Sequence, residues 1–279
     1  MAPPINASNH QPIGVEGVLD SLTLPEKLWV EAEPYPLSGR ELKLSILMNP
    51  FYVPGRTPLA LGSITEPFLP QTRERALEYL SELSDLGLVQ ISTKGPIGEE
   101  EEEAFVEAGI SVLISACTLR RELEPRAPPV LDRIFWLKRI SKRAHACLFL
   151  RPIIPGEDHE ELIRMASGSS GVVLGALRVT KGILERLSKV LDISLVLERL
   201  PRSPRGSEQL AIRCSDIKKK LMELASSMGL KPYPAACSAN MDAHNLGCSA
   251  CRMGPCGSPP EVSEEEVFRL LEELGCRPR

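Results

Sequence analysis

The stretch "PLALGSITEPFLPQTR" at residues 58–73 holds the pattern that decides the fold. Apolar residues occupy both faces of an extended segment over 58–64, which predicts a strand that is buried on both sides. A helical periodicity follows over 71–87, where apolar residues recur every three or four positions until Gly87 ends the pattern. A strand, a loop and a helix at this spacing predict one βα unit of a parallel sheet.

The same alternation recurs along the rest of the chain. Strands are predicted at 58–64, 88–94, 110–117, 146–154, 171–177, 192–200 and 230–237. Helices are predicted at 71–87, 98–109, 128–144, 157–167, 181–191 and 214–229, with a capping helix at 263–275. This order is typical of a full or partial barrel or of a doubly wound sheet. We expect an α/β fold, a parallel partial (β/α) TIM-type barrel with a C-terminal cysteine-rich extension.

The boundaries of these parts follow from composition. Residues 1–40 are expected to form a partly disordered N-terminal arm, residues 41–235 the barrel, and residues 236–279 the cysteine-rich loop with its capping helix. The segment at 41–57 lies where a further strand and a loop are expected before the first βα unit. Of the 279 residues 43% are hydrophobic, which is enough for a sizeable core.

Charge and hydropathy narrow the classes of partner. The formal net charge of -4 argues against a protein whose main affinity for nucleic acid is electrostatic, so a nucleic-acid partner is not expected. The apolar runs are too short to span a bilayer, and the first residues carry no basic start and no apolar core of a secretion signal. We therefore expect a cytoplasmic protein with no membrane partner.

Four cysteines crowd into "CSANMDAHNLGCSACRMGPCG" at residues 237–257. Their spacing is C-x10-C-x2-C-x4-C, formed by Cys237, Cys248, Cys251 and Cys256. Four thiolates suit Zn2+ and a [4Fe–4S] cluster equally, and glycines permit the tight backbone of such a site. In a reducing compartment a metal or cluster is favoured over two disulfides or free thiols. His244 is an alternative ligand, although a single loop histidine is more often exposed.

The other four cysteines are scattered, and they are expected to be small buried hydrophobic residues. They are Cys117, Cys147, Cys214 and Cys276.

Two further features have ordinary structural interpretations. The acidic run at 99–103 is expected to begin a helix, where negative charge is favoured, and His159 is expected on the surface in the first turn of a helix.

Four stretches together resemble the radical S-adenosylmethionine (SAM) superfamily, and most closely its spore-photoproduct-lyase-like members. They are "PLALGSITEPFLPQTR" at 58–73, "ISTKG" at 91–95, "ISACTLRRELEPRAPPVLDRI" at 114–134 and "RPIIPGEDHEEL" at 151–162. The resemblance covers roughly residues 57 to 180. It implies a parallel barrel that binds SAM at its mouth, where a [4Fe–4S] cluster cleaves SAM to a 5′-deoxyadenosyl radical that abstracts hydrogen from a substrate.

Residue roles follow from the resemblance at the matching positions. Ser63, Thr65 and Glu66 of "GSITE" would face the amino group of SAM. A carboxylate is suited to an ammonium group.

The remaining motifs would hold the other parts of SAM. Lys94, Ser115 and Arg126 would approach its carboxylate and ribose. Ile154 and Gly156 would lie near the adenine, where an apolar backbone edge suits a purine.

One element of the superfamily pattern is missing. The cluster-binding CxxxCxxC of the family precedes the first matching stretch, but this sequence has no cysteine before Cys117. Three interpretations remain open: the cluster segment lies outside this sequence, radical chemistry has been lost, or the C-terminal cysteines take over a cluster role. The leading hypothesis is a radical-SAM-like iron–sulfur protein acting on an unidentified substrate. The alternative is a non-catalytic barrel that binds SAM, a nucleotide or a partner and carries structural zinc.

Overall fold

The computed structural model describes the backbone of residues 13–14 and residues 37–49, 52–63, 65–206 and 208–246. Cys248, Cys251, Cys256, Cys276 and the predicted helix at 263–275 lie outside these residues, as does most of the N-terminal arm.

Strands and helices alternate along the described chain. The strands are β1 (Ile13–Gly14), β2 (Leu59–Leu61), β3 (Val89–Thr93), β4 (Ser111–Ser115), β5 (Ala146–Ile153), β6 (Gly171–Ala176), β7 (Arg178–Val179), β8 (Leu210–Ala211) and β9 (Lys231–Tyr233). The helices are α1 (Gly39–Leu47), α2 (Arg73–Leu83), α3 (Glu99–Glu107), α4 (Val130–Ile140), α5 (His159–Met165), α6 (Lys181–Leu187), α7 (Ser194–Glu198), α8 (Ser215–Ser227) and α9 (Ala236–Ala243). Single 3-10 turns lie at Ser84–Leu86 and Arg121–Leu123.

The chain forms two compact units. The first contains Met1–Thr93, Ile97–Val112 and Ala236–Arg279, and the second contains Lys94–Pro96 and Leu113–Ala235. The predicted three-part division at residues 40 and 235 stays a prediction.

The first unit is built on the strand order β1-β2-β3-β4, in which β2 pairs with both β1 and β3 in parallel. Helices α2 and α3 cover it with side chains that are fully buried, among them Leu80, Leu83 and Phe105. The rings of Phe68 and Phe105 pack with centroids 5.7 Å apart. Parallel strands joined by helices match the α/β fold that the sequence predicts.

The second unit contains β5, β6 and β9, and β6 pairs with both β5 and β9 in parallel. The β5 pattern of buried positions confirms the strand predicted at 146–154. A second sheet of β7 and β8 is antiparallel. It belongs to a separate apolar cluster that includes Val179, Val196 and Ile212.

Three predicted strands differ in the structure. The segment at 41–57 contains helix α1 instead of a strand. Ser38 and Glu41 form a capping box at its start, and Leu42 and Ile46, one helical turn apart, are buried. The predicted strand at 230–237 is shorter, because β9 ends at Tyr233 and α9 begins at Ala236.

The strand predicted at 192–200 is wrong, because this segment forms α7. The Asp192 carboxylate accepts hydrogen bonds from the backbone and hydroxyl of Ser194, which starts a turn. Val196 and Leu200 face the core at helical spacing, whereas the intervening Leu197 is 49% exposed. Apolar residues at both odd and even positions of this segment had concealed the helical period.

The acidic run at 99–103 begins α3, as predicted. The Glu101 carboxylate accepts a hydrogen bond from the Gly98 backbone at 2.8 Å. Glu100 and Glu101 also pair with Arg73 of α2, so the run stabilises the start of α3 and its contact with α2.

Within the described residues, no helix is long and apolar enough to cross a membrane.

Candidate functional site

The end of β2 presents polar groups in the first unit. Ser63 and Thr65 are exposed, and Glu66 is half-buried. The Ser63 hydroxyl lies 3.4 Å from the carbonyl oxygen of Ala60. All three predicted SAM-binding residues of this motif therefore follow one strand end.

The Thr93 hydroxyl and the Phe68 backbone position the Glu66 carboxylate. It accepts a hydrogen bond from the Thr93 hydroxyl at the end of β3 and another from the Phe68 backbone at 3.2 Å. Both bonds reach the same oxygen, Oε1. A carboxylate positioned in this way at a parallel strand end is a suitable acceptor for an ammonium group.

Gly62 makes this strand end fit against β3. Its φ is 74°, a conformation that favours glycine. A Cβ at this position would overlap the Ser92 carbonyl oxygen. The Ser92 hydroxyl donates a hydrogen bond of 2.7 Å to the Gly62 carbonyl, which joins the ends of β2 and β3.

The end of β4, in the second unit, carries a network of charges that we call the Glu124 network, in which Glu124 and Arg133 are buried and Lys94 is partly exposed. Glu124 pairs with Lys94 at 2.6 Å and with Arg133 at 2.7 Å. Arg133 also donates a hydrogen bond of 2.6 Å to the backbone carbonyl of Ser115, the last residue of β4. The side chain of Arg133 is 1% exposed and that of Glu124 is 7% exposed. The network joins the predicted residues Lys94 and Ser115.

Burial and ion pairing shift the pKa values of groups in and beside this network. Burial alone would raise the pKa of Glu124, but the charges of Lys94 and Arg133 outweigh it and lower that pKa. The neighbouring thiol of Cys117 behaves differently. Burial, followed by the charge of Glu124, raises the pKa of Cys117 to about 12, so this thiol is protonated and unreactive at neutral pH.

Arg126 lies apart from the network. Its side chain is exposed, and it belongs to the loop between the 3-10 turn and α4. The structure therefore pairs Lys94 with Glu124 while 39% of the Lys94 side chain stays exposed, and Arg126 lies at the surface. Both were predicted to approach SAM.

The loop after β5 contains Ile154 and Gly156 and is closed by His159. Ile154 is buried, and Gly156 is exposed with a φ of 93°. The backbone of Ile154 donates a hydrogen bond of 3.0 Å to Nε2 of His159. His159 is 4% exposed, so its predicted surface position is wrong. Burial lowers its pKa, although the bond to Ile154 opposes that effect.

A second buried carboxylate fixes the same loop. Glu157 accepts a hydrogen bond of 2.6 Å from the Thr118 hydroxyl and pairs with Arg120 at 3.3 Å. Arg120 also donates to the backbone carbonyl of Val190. An open groove of about 460 Å³ adjoins this loop. It is lined by the segment from Gly156 to Glu160 and by α8 residues that include Asp216 and Lys220.

Sequence reasoning missed Thr93, Glu124 and Arg133 as site-forming residues. The available signal for Arg133 was its place on the apolar face of α4, in line with Leu137 and Ile140, which are fully buried. A charged residue at a core position requires a buried partner. Glu124 is the nearest acidic residue before that helix.

The described cysteines lie in the core. Cys117, Cys147 and Cys214 are buried, as predicted. Cys237 is also buried and lies in α9, where the backbone carbonyl of the preceding Ala236 accepts a hydrogen bond from Gln90.

The described part of the chain contains no group of three or more His, Cys, Asp and Glu residues that could hold a metal ion. The sequence has no cysteine before Cys117. The segment before residue 58, where the family carries its CxxxCxxC motif, therefore does not fit the SAM-cleaving cluster. His244 is half-buried, contrary to expectation, and its Nε2 is buried without a hydrogen-bond partner.

The fold resembles that of spore photoproduct lyase, a radical SAM enzyme. The complex with dinucleoside spore photoproduct is 14% identical, with a TM-score of 0.51 over 70% of this chain and 64% of that chain. A double variant with bound AdoMet and dinucleoside spore photoproduct is 13% identical, with a TM-score of 0.52 over 71% and 66%. The chain thus spans less than two thirds of the length of these proteins.

No family model and no curated protein matches the sequence. At 13–14% identity the likeness concerns the fold alone. It confirms the radical-SAM-like fold that the four sequence stretches imply.

Proposed function

We propose that this chain is a radical-SAM-like protein that binds SAM and carries an iron–sulfur cluster. Its parallel sheet would form a partial (β/α) barrel, extended by the C-terminal cysteine-rich segment, in a cytoplasmic protein. The observation that carries the proposal is the fold likeness to spore photoproduct lyase, whose AdoMet-bound form is among the similar structures.

The SAM-binding role rests on the groups at the strand ends. Glu66 is the candidate for the ammonium group, because its carboxylate is positioned by Thr93 and Phe68. Ser63 and Thr65 are exposed beside it in the sequence and can supply further hydrogen bonds.

Three more residues are candidates for the carboxylate and ribose of SAM. Lys94 and Arg126 are cations, and Ser115 ends β4. Ile154 and Gly156 are candidates for the adenine, because the loop that carries them is fixed by His159 and Glu157. Apolar backbone edges of this kind suit a purine.

The cluster would be held by Cys237, Cys248, Cys251 and Cys256. Four soft thiolates at this spacing match a closed [4Fe–4S] cluster, which supplies or accepts one electron when bound. Since all four iron positions would have protein ligands, such a cluster leaves no iron open for SAM. The cluster would therefore be an auxiliary one.

A second candidate function is a non-catalytic barrel that binds SAM, a nucleotide or a partner protein and carries structural Zn2+ at the same four cysteines. The absence of any cysteine before Cys117 favours it, because the superfamily motif CxxxCxxC is missing from this sequence. A DNA substrate is not proposed, because the net charge of -4 does not favour binding to the DNA backbone.

Metal analysis separates these two functions. Iron, sulfide and zinc are measured on anaerobically purified protein and on two variants, Cys251→Ala and the control Cys276→Ala. About four irons and four sulfides per chain, lost only in Cys251→Ala, are the result expected for the [4Fe–4S] cluster. One zinc without iron would support the second candidate, and no metal would contradict both.

A further inference from the structure

Helix α4 carries an apolar pair on its outer face. Leu131 is 66% exposed, and Phe135, one helical turn further on, is 61% exposed. Leu137 and Ile140 lie on the opposite face of the same helix and are fully buried. Because α4 buries a complete apolar face without Leu131 and Phe135, packing within the chain does not account for the exposed pair.

Arg139 orients the exposed ring of Phe135. Its guanidinium carbon lies 5.8 Å from the centre of that ring, which is within the range of a cation–π contact. Contact with a neighbouring side chain limits the rotation of the ring at the surface. An aromatic ring held in this way loses little entropy on association, so it is suited to anchor an interface.

Exposed charges flank the apolar pair in a definite order along α4. Asp132 lies in the first turn, Lys138 lies in the last turn, and Lys142 follows just after the helix ends. In the part of the chain that the structure describes, the side chains of Asp132 and Lys138 take part in no ion pair. One end of the exposed face is therefore acidic and the other end is basic.

This order of charges is complementary to itself when two copies of α4 lie antiparallel. Phe135 is three residues from both Asp132 and Lys138, or about 4.5 Å along the helix axis in either direction. A twofold axis beside Phe135 brings Asp132 of one copy level with Lys138 of the second copy. Two parallel copies would instead bring like charges level with each other, which disfavours that arrangement.

We propose that the exposed face of α4 is a homodimer interface, on which α4 of a second copy of this chain packs antiparallel. Leu131 and Phe135 of the two copies form the apolar centre, and the charges of Asp132 and Lys138 set the direction of the helices. One helix face makes a small interface, so the dimer forms reversibly. The proposal goes beyond the proposed function, because this association requires neither SAM nor a metal.

Sedimentation velocity of the full chain over a range of protein concentrations tests the proposal. We expect a reversible monomer–dimer equilibrium with a dissociation constant of about 10–100 µM, as suits a small transient interface. A wild-type chain that stays monomeric at about 1 mM would overturn the proposal. Because the readout is molecular mass, a failure to bind SAM or metal leaves the result unaffected, and the two proposals fail independently.

A substitution at the apolar centre locates the interface. Phe135→Asp should raise the dissociation constant at least about tenfold, because it places two like charges at the centre of the dimer. Met48→Asp is the matched control, because Met48 is 78% exposed at the end of α1 and should leave the dimer unchanged. Both changes are at exposed positions and should keep the wild-type Tm. A dimer that only Met48→Asp dissociates would place the interface elsewhere and contradict the proposal.

Two charge variants test the direction of the helices. Asp132→Lys makes both ends of the exposed face basic and should raise the dissociation constant about fivefold. Adding Lys138→Asp to the same chain exchanges the two charges but keeps their antiparallel complementarity, so it should restore most of the lost affinity. An unchanged affinity in Asp132→Lys, or a further loss in the double variant, would contradict the antiparallel arrangement.

Discussion

The ends of β2 and β4 carry the two most distinctive sequence stretches, and they use their charged residues in different ways. After β2, Ser63 and Thr65 are exposed, and the Glu66 carboxylate accepts hydrogen bonds from the Thr93 hydroxyl and the Phe68 backbone N–H. After β4, Glu124 is enclosed between two cations, and its partner Arg133 is 1% exposed.

The contrast separates groups that can bind a ligand from groups that hold the loop together. Two hydrogen-bond donors to Glu66, the Thr93 hydroxyl and the Phe68 backbone, are neutral. The charge of Glu124 is already balanced by Lys94 and Arg133. A charged residue in a family motif is therefore not always a ligand-binding residue, and burial with pairing distinguishes the two roles.

The largest expected effect comes from breaking the Glu124 network. Glu124→Gln leaves the buried cation of Arg133 without a counter-charge and should lower the free energy of unfolding by about 3–5 kcal/mol. The same change at the half-buried Glu66 should cost about 1–2 kcal/mol at most. Urea denaturation of both variants measures the difference.

The double variant Glu124→Leu/Arg133→Met sharpens this test, because it removes both buried charges and should recover most of the lost stability. Arg199→Met, in an ion pair at the surface with Asp216, serves as the control and should leave the unfolding midpoint nearly unchanged. Equal losses in the free energy of unfolding for Glu66→Gln and Glu124→Gln would contradict the distinction between the two strand ends.

The second test concerns the backbone of the β2 end. Gly62→Ala combines a positive φ with an overlap against the Ser92 carbonyl, so we expect a loss of about 2–5 kcal/mol. Gly55→Ala is the matched control, because its φ of 68° is similar but nothing lies within 4 Å of the added Cβ. It should cost only about 1–2 kcal/mol. Similar losses would show that close packing against β3 is unimportant.

The smallest expected effect is the loss of stability that accompanies protonation of His159 at acidic pH. Its pKa is lowered by burial, so the folded protein keeps this ring neutral while the unfolded chain protonates near the ordinary value of 6.5. The associated stability is present above that value and is lost as the pH falls below it. We expect the Tm to fall by about 2–4 °C between pH 7.5 and 5.5.

His159→Gln should flatten this part of the pH profile. His244 also has its pKa lowered by burial, so His244→Gln measures the contribution of that second ring. A profile that His159→Gln leaves unchanged would mean that its burial does not affect stability in this pH range.

The sequence predicted the sheet well where apolar runs are bounded by clear helical periods. Six predicted helices and the strands β2 to β6 follow such runs, and predicted polar residues lie at or after the ends of β2, β3 and β4. It failed at α7, because apolar residues on both faces hid the helical spacing of Val196 and Leu200.

The site was predictable only in its exposed part. Glu66 was visible as the carboxylate that follows a strand. The pairing of Glu124 with Arg133 depends on how the loop and α4 turn back on β4, and the burial of His159 depends on the loop closing on Ile154. Neither arrangement leaves a periodic signal in the sequence.

The measurement that tests the account most directly is calorimetric titration of the chain with SAM. We predict saturable binding of one SAM per chain, weakened about tenfold in Glu66→Gln, which removes a charge-assisted hydrogen bond to the ammonium group. The exposed control Arg186→Gln should bind SAM like the wild type. Absence of SAM binding, or equal affinity of Glu66→Gln and the wild type, would contradict the assignment of the β2 end to SAM.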